Sequence, residues 1–183
     1  MNMRITAAVA ALALGVAGQA GAATVTSLPG APASTANPAA TSTTGTVYQG
    51  ITGDWSGVYL SPFSDTTTAY TSVSGGASAT YDFGAVMSAI SLVWGTVDSY
   101  NYIDFIKDGV VVETLGGSGI AGGYLQIASD FLFDSVTLRS GSNAFEFGAL
   151  SATPSAVPVP AAGLLLAGAV AGLGALSRRR RAA

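Results

Sequence analysis

The sequence contains no cysteine and no histidine among its 183 residues. Without cysteine there is no disulfide, no thiolate metal ligand and no cysteine nucleophile. Without histidine, Ser-His-Asp and Cys-His catalysis are excluded, together with the commonest ligand of transition metals. These two absences remove many hydrolase and metal-centre chemistries, and we expect a protein that is not an enzyme.

Basic residues are also scarce, and five of the seven lie near the two ends of the chain. The stretch between them holds all ten acidic residues and only Lys107 and Arg139 as basic ones, which gives a net charge of −8. Nucleic-acid binding depends on clustered Lys and Arg, so this composition argues against a nucleic-acid partner. It is compatible with a location outside the cell and with cation binding.

Residues 1–22 follow the three-part plan of a secretory signal peptide. Arg4 supplies the positive charge, and the apolar run from Ala7 to Val16 is too short to span a bilayer comfortably. Small residues at Ala20 and Ala22 precede the expected cleavage site. We therefore expect signal peptidase to cleave after Ala22 or Ala23. The alternative, a buried N-terminal helix, leaves the Ala-x-Ala ending unexplained.

Residues 154–183 contain a second apolar segment. The uncharged run 161–176 has 16 residues, and in helical form it would rise roughly 24 Å. This length falls slightly short of a hydrocarbon core of about 30 Å, a gap that flanking residues can cover. Arginines are costly to move across a membrane and stay in the cytoplasm. We expect a transmembrane helix over 161–176, followed by a cytoplasmic basic anchor of Arg178, Arg179, Arg180 and Arg181.

Prolines alternate just before this apolar run, in the order Val157, Pro158, Val159, Pro160 and Ala161. Proline interrupts helices and strands and favours an extended, exposed chain that a processing enzyme can grip. With the apolar run and the arginine cluster, the segment resembles the PEP-CTERM class of sorting tails. It is most similar to the VPLPA-CTERM variant, with Val159 where that variant usually has Leu. The resemblance implies processing by an exosortase, a membrane transpeptidase-like enzyme of Gram-negative bacteria.

The middle of the chain divides into two parts. Residues 23–46 are rich in Ser, Thr, Ala and Pro and carry no charge, so we expect a flexible lead-in. Over 47–153, short apolar stretches alternate with Gly, Ser, Asp and Asn, and no long helical period appears. Asp108-Gly109 between two β-branched or aromatic runs predicts a tight hairpin. We expect strands at Met87–Trp94, Tyr102–Ile106, Val110–Thr114, Tyr124–Ile127, Phe131–Arg139 and Ala144–Leu150.

Six to nine short strands with Gly-rich turns are typical of an all-β fold. We therefore predict a single antiparallel β-sandwich or jelly-roll-like domain. The signal peptide and the C-terminal transmembrane helix would flank it.

Two blocks in this domain carry a second resemblance, to a family of exosortase-dependent surface proteins. They are residues 94–101, Trp-Gly-Thr-Val-Asp-Ser-Tyr-Asn, and residues 143–146, Asn-Ala-Phe-Glu. Weaker matches are Ser61-Pro62-Phe63, Gly75–Thr80 and Val136–Ser140. Members of the family often continue Phe-Glu with Asp-Asn, whereas this chain has Phe147-Gly148-Ala149.

The family has no established enzymatic activity. The resemblance implies a structural or adhesive protein, first anchored in the inner membrane and then at the cell surface or in the extracellular matrix. We expect the protein to lie within an extracellular polysaccharide layer, and this polysaccharide is a candidate binding partner.

Asp98, Asn101 and Asp104 are candidate calcium ligands, spaced at i, i+3 and i+6. Carboxylate and amide oxygens are the ligands that Ca²⁺ prefers, and it takes about six to eight of them. Asp82 or Glu146 would add a ligand if the ends of the sheets meet. Alternatively, Asp98 and Asn101 hydrogen-bond their own turn backbone, as Asx residues commonly do. Apart from this structural calcium, we expect no cofactor.

Trp55 and Tyr100 lie in loop-like settings and are candidates for stacking on a sugar ring. Trp94 falls on the face that we assign to the core. A carbohydrate-binding module is therefore the second functional hypothesis. The third is a carboxylate-based glycoside hydrolase, which would need two acids about 5 to 10 Å apart across a cleft.

We predict that deleting Arg178–Arg181, or replacing both Pro158 and Pro160, will trap the full-length precursor in the inner membrane. The physical reason is loss of the cytoplasmic anchor or of the extended segment that the sorting enzyme grips. Fractionation and immunoblotting would measure the precursor. Mature protein on the surface in normal amount would contradict the sorting hypothesis.

Overall fold

The structure is a computed structural model that describes residues 22–156. Most of the expected signal peptide, including Ala20, lies outside this range, as do the motif Val157–Ala161, the apolar run 161–176 and Arg178–Arg181. Within the range, no helix could span a membrane. The described residues form nine strands: β1 Ala23–Ser27, β2 Ser42–Thr44, β3 Val47–Ile51, β4 Tyr70–Val73, β5 Ser78–Trp94, β6 Asn101–Lys107, β7 Val110–Gly116, β8 Gly123–Ser140 and β9 Phe145–Pro154. The all-β prediction is confirmed.

All nine strands pair antiparallel in one sheet, whose main order is β3-β4-β9-β5-β8-β6-β7. β1 pairs with the first part of β8, and β2 pairs with the first part of β5. The expected strand Met87–Trp94 is the second part of β5, and the two strands expected at 124–127 and 131–139 are joined in β8. The sequence prediction therefore found the apolar stretches but divided the long strands.

β5 and β8 contain 17 and 18 residues, whereas strands of about 5 or 6 residues are most common. They are long because each belongs to two halves of the sheet. Half-sheet 1 contains β3, β4, β9, the second part of β5, the first part of β8 and β1. Half-sheet 2 contains β2, the first part of β5, the second part of β8, β6 and β7.

A pair of opposed bulges joins the two half-sheets. Between the pairs Asp82–Ser135 and Met87–Phe133, the extra residues are in β5. Between Met87–Phe133 and Ala89–Ala128, they are in β8. The advance of seven residues along β5, from 82 to 89, thus equals the advance of seven along β8, from 135 to 128, so the register is the same on both sides. Gly84 lies in the first bulge with φ +63°, a conformation that glycine adopts readily.

The two half-sheets share one hydrophobic core. Tyr81 of half-sheet 2 packs edge-on against Phe147 of half-sheet 1, with ring centroids 5.9 Å apart. Trp94 stacks on Phe145 at 4.4 Å, and Phe105 packs on Phe133 at 5.0 Å. The β5–β8 pairing is interrupted at the bulges and resumes beyond them, so both strands run through the two half-sheets without ending.

The β6–β7 hairpin is confirmed. Lys107 pairs with Val110, so the loop consists of Asp108 and Gly109, with φ angles of +51° and +78°. Positive φ at both central residues is the requirement of a type I′ turn. Lys107 stabilises the turn by contacting Asp108 at 2.9 Å and Asp134 at 3.0 Å.

The expectation of a flexible lead-in over 23–46 is wrong for β1 and β2, which pair with β8 and β5. Contacts with distant parts of the chain can order a polar segment even though its sequence shows no apolar periodicity. The Asn37 amide shows how, because its Nδ2 donates to Thr71 Oγ1 at 2.8 Å and its Oδ1 accepts from the Leu150 amide at 3.0 Å. The Leu150 amide follows Ala149, where positive φ interrupts the β5–β9 ladder.

Both ends of the described fold leave from the region of the bulges. Ala23 pairs with Ser129, and Pro154 pairs with Met87. The opposite end of half-sheet 1 carries the start of β9 and the end of β5, where Phe147 pairs with Trp94.

We predict that Asn37→Ala will lower the free energy of unfolding by about 1–2 kcal/mol, because the partly buried Leu150 amide loses its acceptor. Urea denaturation of the full chain would measure the change. Thr35→Ala, at a nearby exposed position, is the matched control and should stay close to wild type. Equal stability of both variants would contradict the assigned role of Asn37.

Candidate functional site

Three loops meet at the end of half-sheet 1 that lies away from the bulges. They connect β3 to β4, β5 to β6, and β8 to β9. Between them is an open cleft of about 270 Å³. Its lining residues are Gly57, Val58, Tyr59, Leu60, Thr96, Asp98, Tyr100, Asn143, Ala144 and Glu146.

The β3–β4 loop supplies one wall as a tight turn. The backbone groups of Trp55 and Tyr59 exchange two hydrogen bonds of 2.9 Å, and Gly57 has φ +78° at the tip. The Tyr59 ring lies 5.8 Å from the Trp55 ring, edge to face, and 5.3 Å from Tyr48. Trp55 is 55% exposed beside the cleft, so its ring is available to a ligand.

Asn101 joins the second loop to the third. It is completely buried, and its Oδ1 accepts from the Ser140 hydroxyl at 2.8 Å. Its Nδ2 points to the carbonyls of Thr96 and Ala144 at 3.4 Å each. Its backbone amide closes a turn onto the Asp98 carbonyl at 3.0 Å. Asn101 is therefore a positioning residue beneath the cleft.

Tyr100 and Asn143 connect the same two loops at the surface. The Tyr100 hydroxyl donates to the Asn143 carbonyl at 2.9 Å, and Asn143 Oδ1 accepts from the Gly75 amide at 2.8 Å. Burial, the neighbouring Asp98 and then Glu146 raise the pKa of Tyr100 above its usual range. The Tyr100 phenol therefore stays protonated and can donate.

Glu146 is the buried acid of the cleft. The residue is 4% exposed, and its Oε1 accepts from the Leu60 amide at 3.1 Å. Burial raises the pKa of Glu146, and the negative charge of Asp98 adds to the effect, while the backbone bond from Leu60 opposes it. The charge of Asp98 therefore acts on the Glu146 carboxyl group in the same recess.

The two basic residues of the described range are bound elsewhere. Lys107 contacts Asp108 and Asp134 in the β6–β7 hairpin. Arg139 binds Asp104 through Nε at 2.6 Å and Nη2 at 3.2 Å, and it lies 4.3 Å above the Tyr102 ring. Neither lines the cleft, so the described residues leave its carboxylates without a basic partner.

The three candidate calcium ligands have different surroundings. Asp98 lines the cleft, the Asn101 amide is used within the loops, and both oxygens of Asp104 are bound by Arg139. A carboxylate held by a guanidinium is a poor calcium ligand, so the geometry argues against Asp104 in such a site. Within 22–156, no group of three or more acidic side chains is arranged to hold a metal ion. Of the two further candidate ligands, Asp82 lies in the β5–β8 ladder opposite Ser135, whereas Glu146 lines the cleft together with Asp98.

The aromatic candidates divide in a similar way. Tyr100 lines the cleft, and Trp55 lies beside it against Tyr59. Trp94 is fully buried in the core, as expected. Asn143 was not singled out from the sequence as a site residue. It is nevertheless part of the block 143–146, Asn-Ala-Phe-Glu, that carries the family resemblance.

Segments that carry the family resemblance come together at this cleft. Asp98 and Tyr100 belong to the first block, and Asn143 and Glu146 belong to the second. Ser61-Pro62-Phe63 packs beside them, since a Cβ on Gly95 would lie 3.2 Å from Pro62 and one on Gly148 would lie 2.5 Å from Phe63. No family model, curated protein or solved structure matches the chain. The resemblance stays a prediction.

We predict that wild-type stability will fall as the pH rises from 4.5, the ordinary pKa of glutamate. The folded protein holds a proton on Glu146 more strongly than the unfolded chain, so ionising it costs folding free energy. In Glu146→Gln, the free energy of unfolding should depend less on pH in this range. Urea denaturation at a series of pH values would measure the dependence. Glu113→Gln, on β7 away from the cleft, is the control. An unchanged slope in Glu146→Gln would contradict this role.

Proposed function

We propose that the chain is an exported, non-catalytic surface or extracellular-matrix protein with an adhesive or structural role. Signal peptidase and an exosortase-type enzyme would process its ends, as the Ala20–Ala23 region and the Val157–Ala161 motif suggest. The folded sheet would belong to the β-sandwich or jelly-roll type. β1 begins at Ala23 and β9 ends at Pro154, so processing after Ala22 and within the motif would leave all nine described strands intact.

The observation that carries an adhesive role is the placement of the cleft relative to the tail. Glu146 lies at the cleft near the start of β9, and Pro154 ends β9 at the bulges. Eight residues of extended chain separate them, roughly 25 Å at strand spacing. A domain held through its C-terminal tail would therefore present the cleft away from the attachment point.

A second candidate, carbohydrate binding, is favoured by the composition of the cleft. Tyr59 and Tyr100 offer aromatic rings, and Asp98 and Glu146 offer carboxylate acceptors for sugar hydroxyls. Trp55 adds an exposed indole beside them. Aromatic faces with a few oriented polar groups are a common basis of small-molecule recognition. The proposed adhesive function would then be attachment to an extracellular polysaccharide.

We predict that the full chain, purified in detergent, will bind a subset of a glycan array, and that Trp55→Ala will weaken this binding about threefold to tenfold. The expected loss corresponds to one aromatic contact of about 0.5–1.5 kcal/mol. Leu132→Ala, which removes another exposed apolar side chain at the bulges, should bind like wild type. Absence of binding to any glycan would remove the carbohydrate hypothesis. Cleavage of a bound glycan, abolished by Asp98→Asn or Glu146→Gln, would replace it with the hydrolase hypothesis.

A further inference from the structure

We propose that the cleft binds a protonated amine carried by an amino sugar of a polysaccharide. The inference rests on the proposed glycan binding and specifies the chemical class of the sugar. It is carried by a buried carboxylate and a second acid that share a cleft with two tyrosine rings, without a basic side chain from the described residues.

Glu146 is the first reason. Its side chain is buried, and one carboxylate oxygen accepts the Leu60 amide. No donor from another residue within 22–156 contacts the second oxygen, and the side chain borders the cleft. Burying a carboxylate is unfavourable unless a partner compensates the charge. A cation entering the cleft would supply that partner.

The surrounding charge is the second reason. Asp98 lines the same cleft, and Asp54 accepts the Ser61 amide in the adjoining loop. Lys107 and Arg139 are paired with acids outside the cleft. A recess lined by acids and lacking bases concentrates cations and repels anions. Uronic acids and sulfated sugars are therefore disfavoured as ligands.

The lining favours an amino sugar over a metal ion. Ca²⁺ needs about six to eight oxygen ligands, and no group of three acids within 22–156 is arranged to hold a metal ion. Tyr59 and Tyr100 line the cleft, and tyrosine rings attract an ammonium group and pack on a sugar ring. The cleft of about 270 Å³ is smaller than typical drug-sized sites of roughly 300–1,000 Å³. A single sugar unit would fill it.

The test compares two trisaccharides that differ only in charge. The full chain in detergent is titrated calorimetrically with a glucosamine trisaccharide, at a pH where its amines are protonated, and with the N-acetylated form. We expect the amine form to bind at least about tenfold more tightly. Added salt should weaken binding of the amine form alone. This comparison is made on the wild-type protein, so it does not depend on how any variant folds.

Variants then locate the effect. Glu146→Gln keeps an acceptor for the Leu60 amide while removing the charge, and it should abolish the preference for the amine form. Asp98→Asn should reduce it, and Glu113→Gln on β7 should keep it. Circular dichroism would confirm that each variant is folded.

The outcomes are separable. Equal affinity for the two trisaccharides, or tighter binding of the N-acetylated form, would overturn the cation inference while leaving glycan binding intact. Binding of neither trisaccharide, together with an empty glycan array, would remove the glycan-binding proposal itself. Binding of Ca²⁺ alone by the wild type, lost in Glu146→Gln, with neither sugar bound, would overturn the inference in favour of a metal ion.

Discussion

The antiparallel pair of β5 and β8 supports every other strand of the described fold, either directly or through neighbouring strands. Its opposed bulges must balance, because an uncompensated slip of an odd number of residues would turn the apolar side chains of one half-sheet outward. With both bulges present, buried side chains of β5 stand at odd-numbered positions before the bulges, as in Ala79 and Tyr81. Beyond the bulges, Ile90 and Leu92 are buried at even-numbered positions. One shared core results, and the loops of half-sheet 1 gain a rigid base.

Much of this fold was predictable where the signal is local. Asp108-Gly109 specified its turn because both residues tolerate positive φ. The all-β class followed from short apolar stretches that lack a helical period. The roles of β1, β2 and Asn37 were not predictable, because they depend on partners more than 30 residues away along the chain. The full length of β8 was not predictable, because its bulge interrupts the alternation of apolar and polar residues that marks a strand.

The candidate site was predictable only in part, for the same reason. Asp98, Tyr100 and Trp55 were recognisable as loop residues, and all three lie in or beside the cleft. For Asp104, local spacing does not show that Arg139, on the neighbouring strand, binds both of its oxygens. The partnership between Glu146 and the Leu60 amide spans 86 residues, so only the folded arrangement places Leu60 and Glu146 together.

The course of β9 from the cleft to the tail has a mechanical consequence. If a ligand held at the cleft pulls against an anchor beyond Pro154, the force runs along the axis of β9. Its hydrogen bonds to β5, from Met87–Pro154 to Trp94–Phe147, would then be loaded together in shear instead of opening one at a time like a zip. A protein built in this way would resist flow and traction better than one whose strands open one bond at a time, since rupture requires many bonds to break at once.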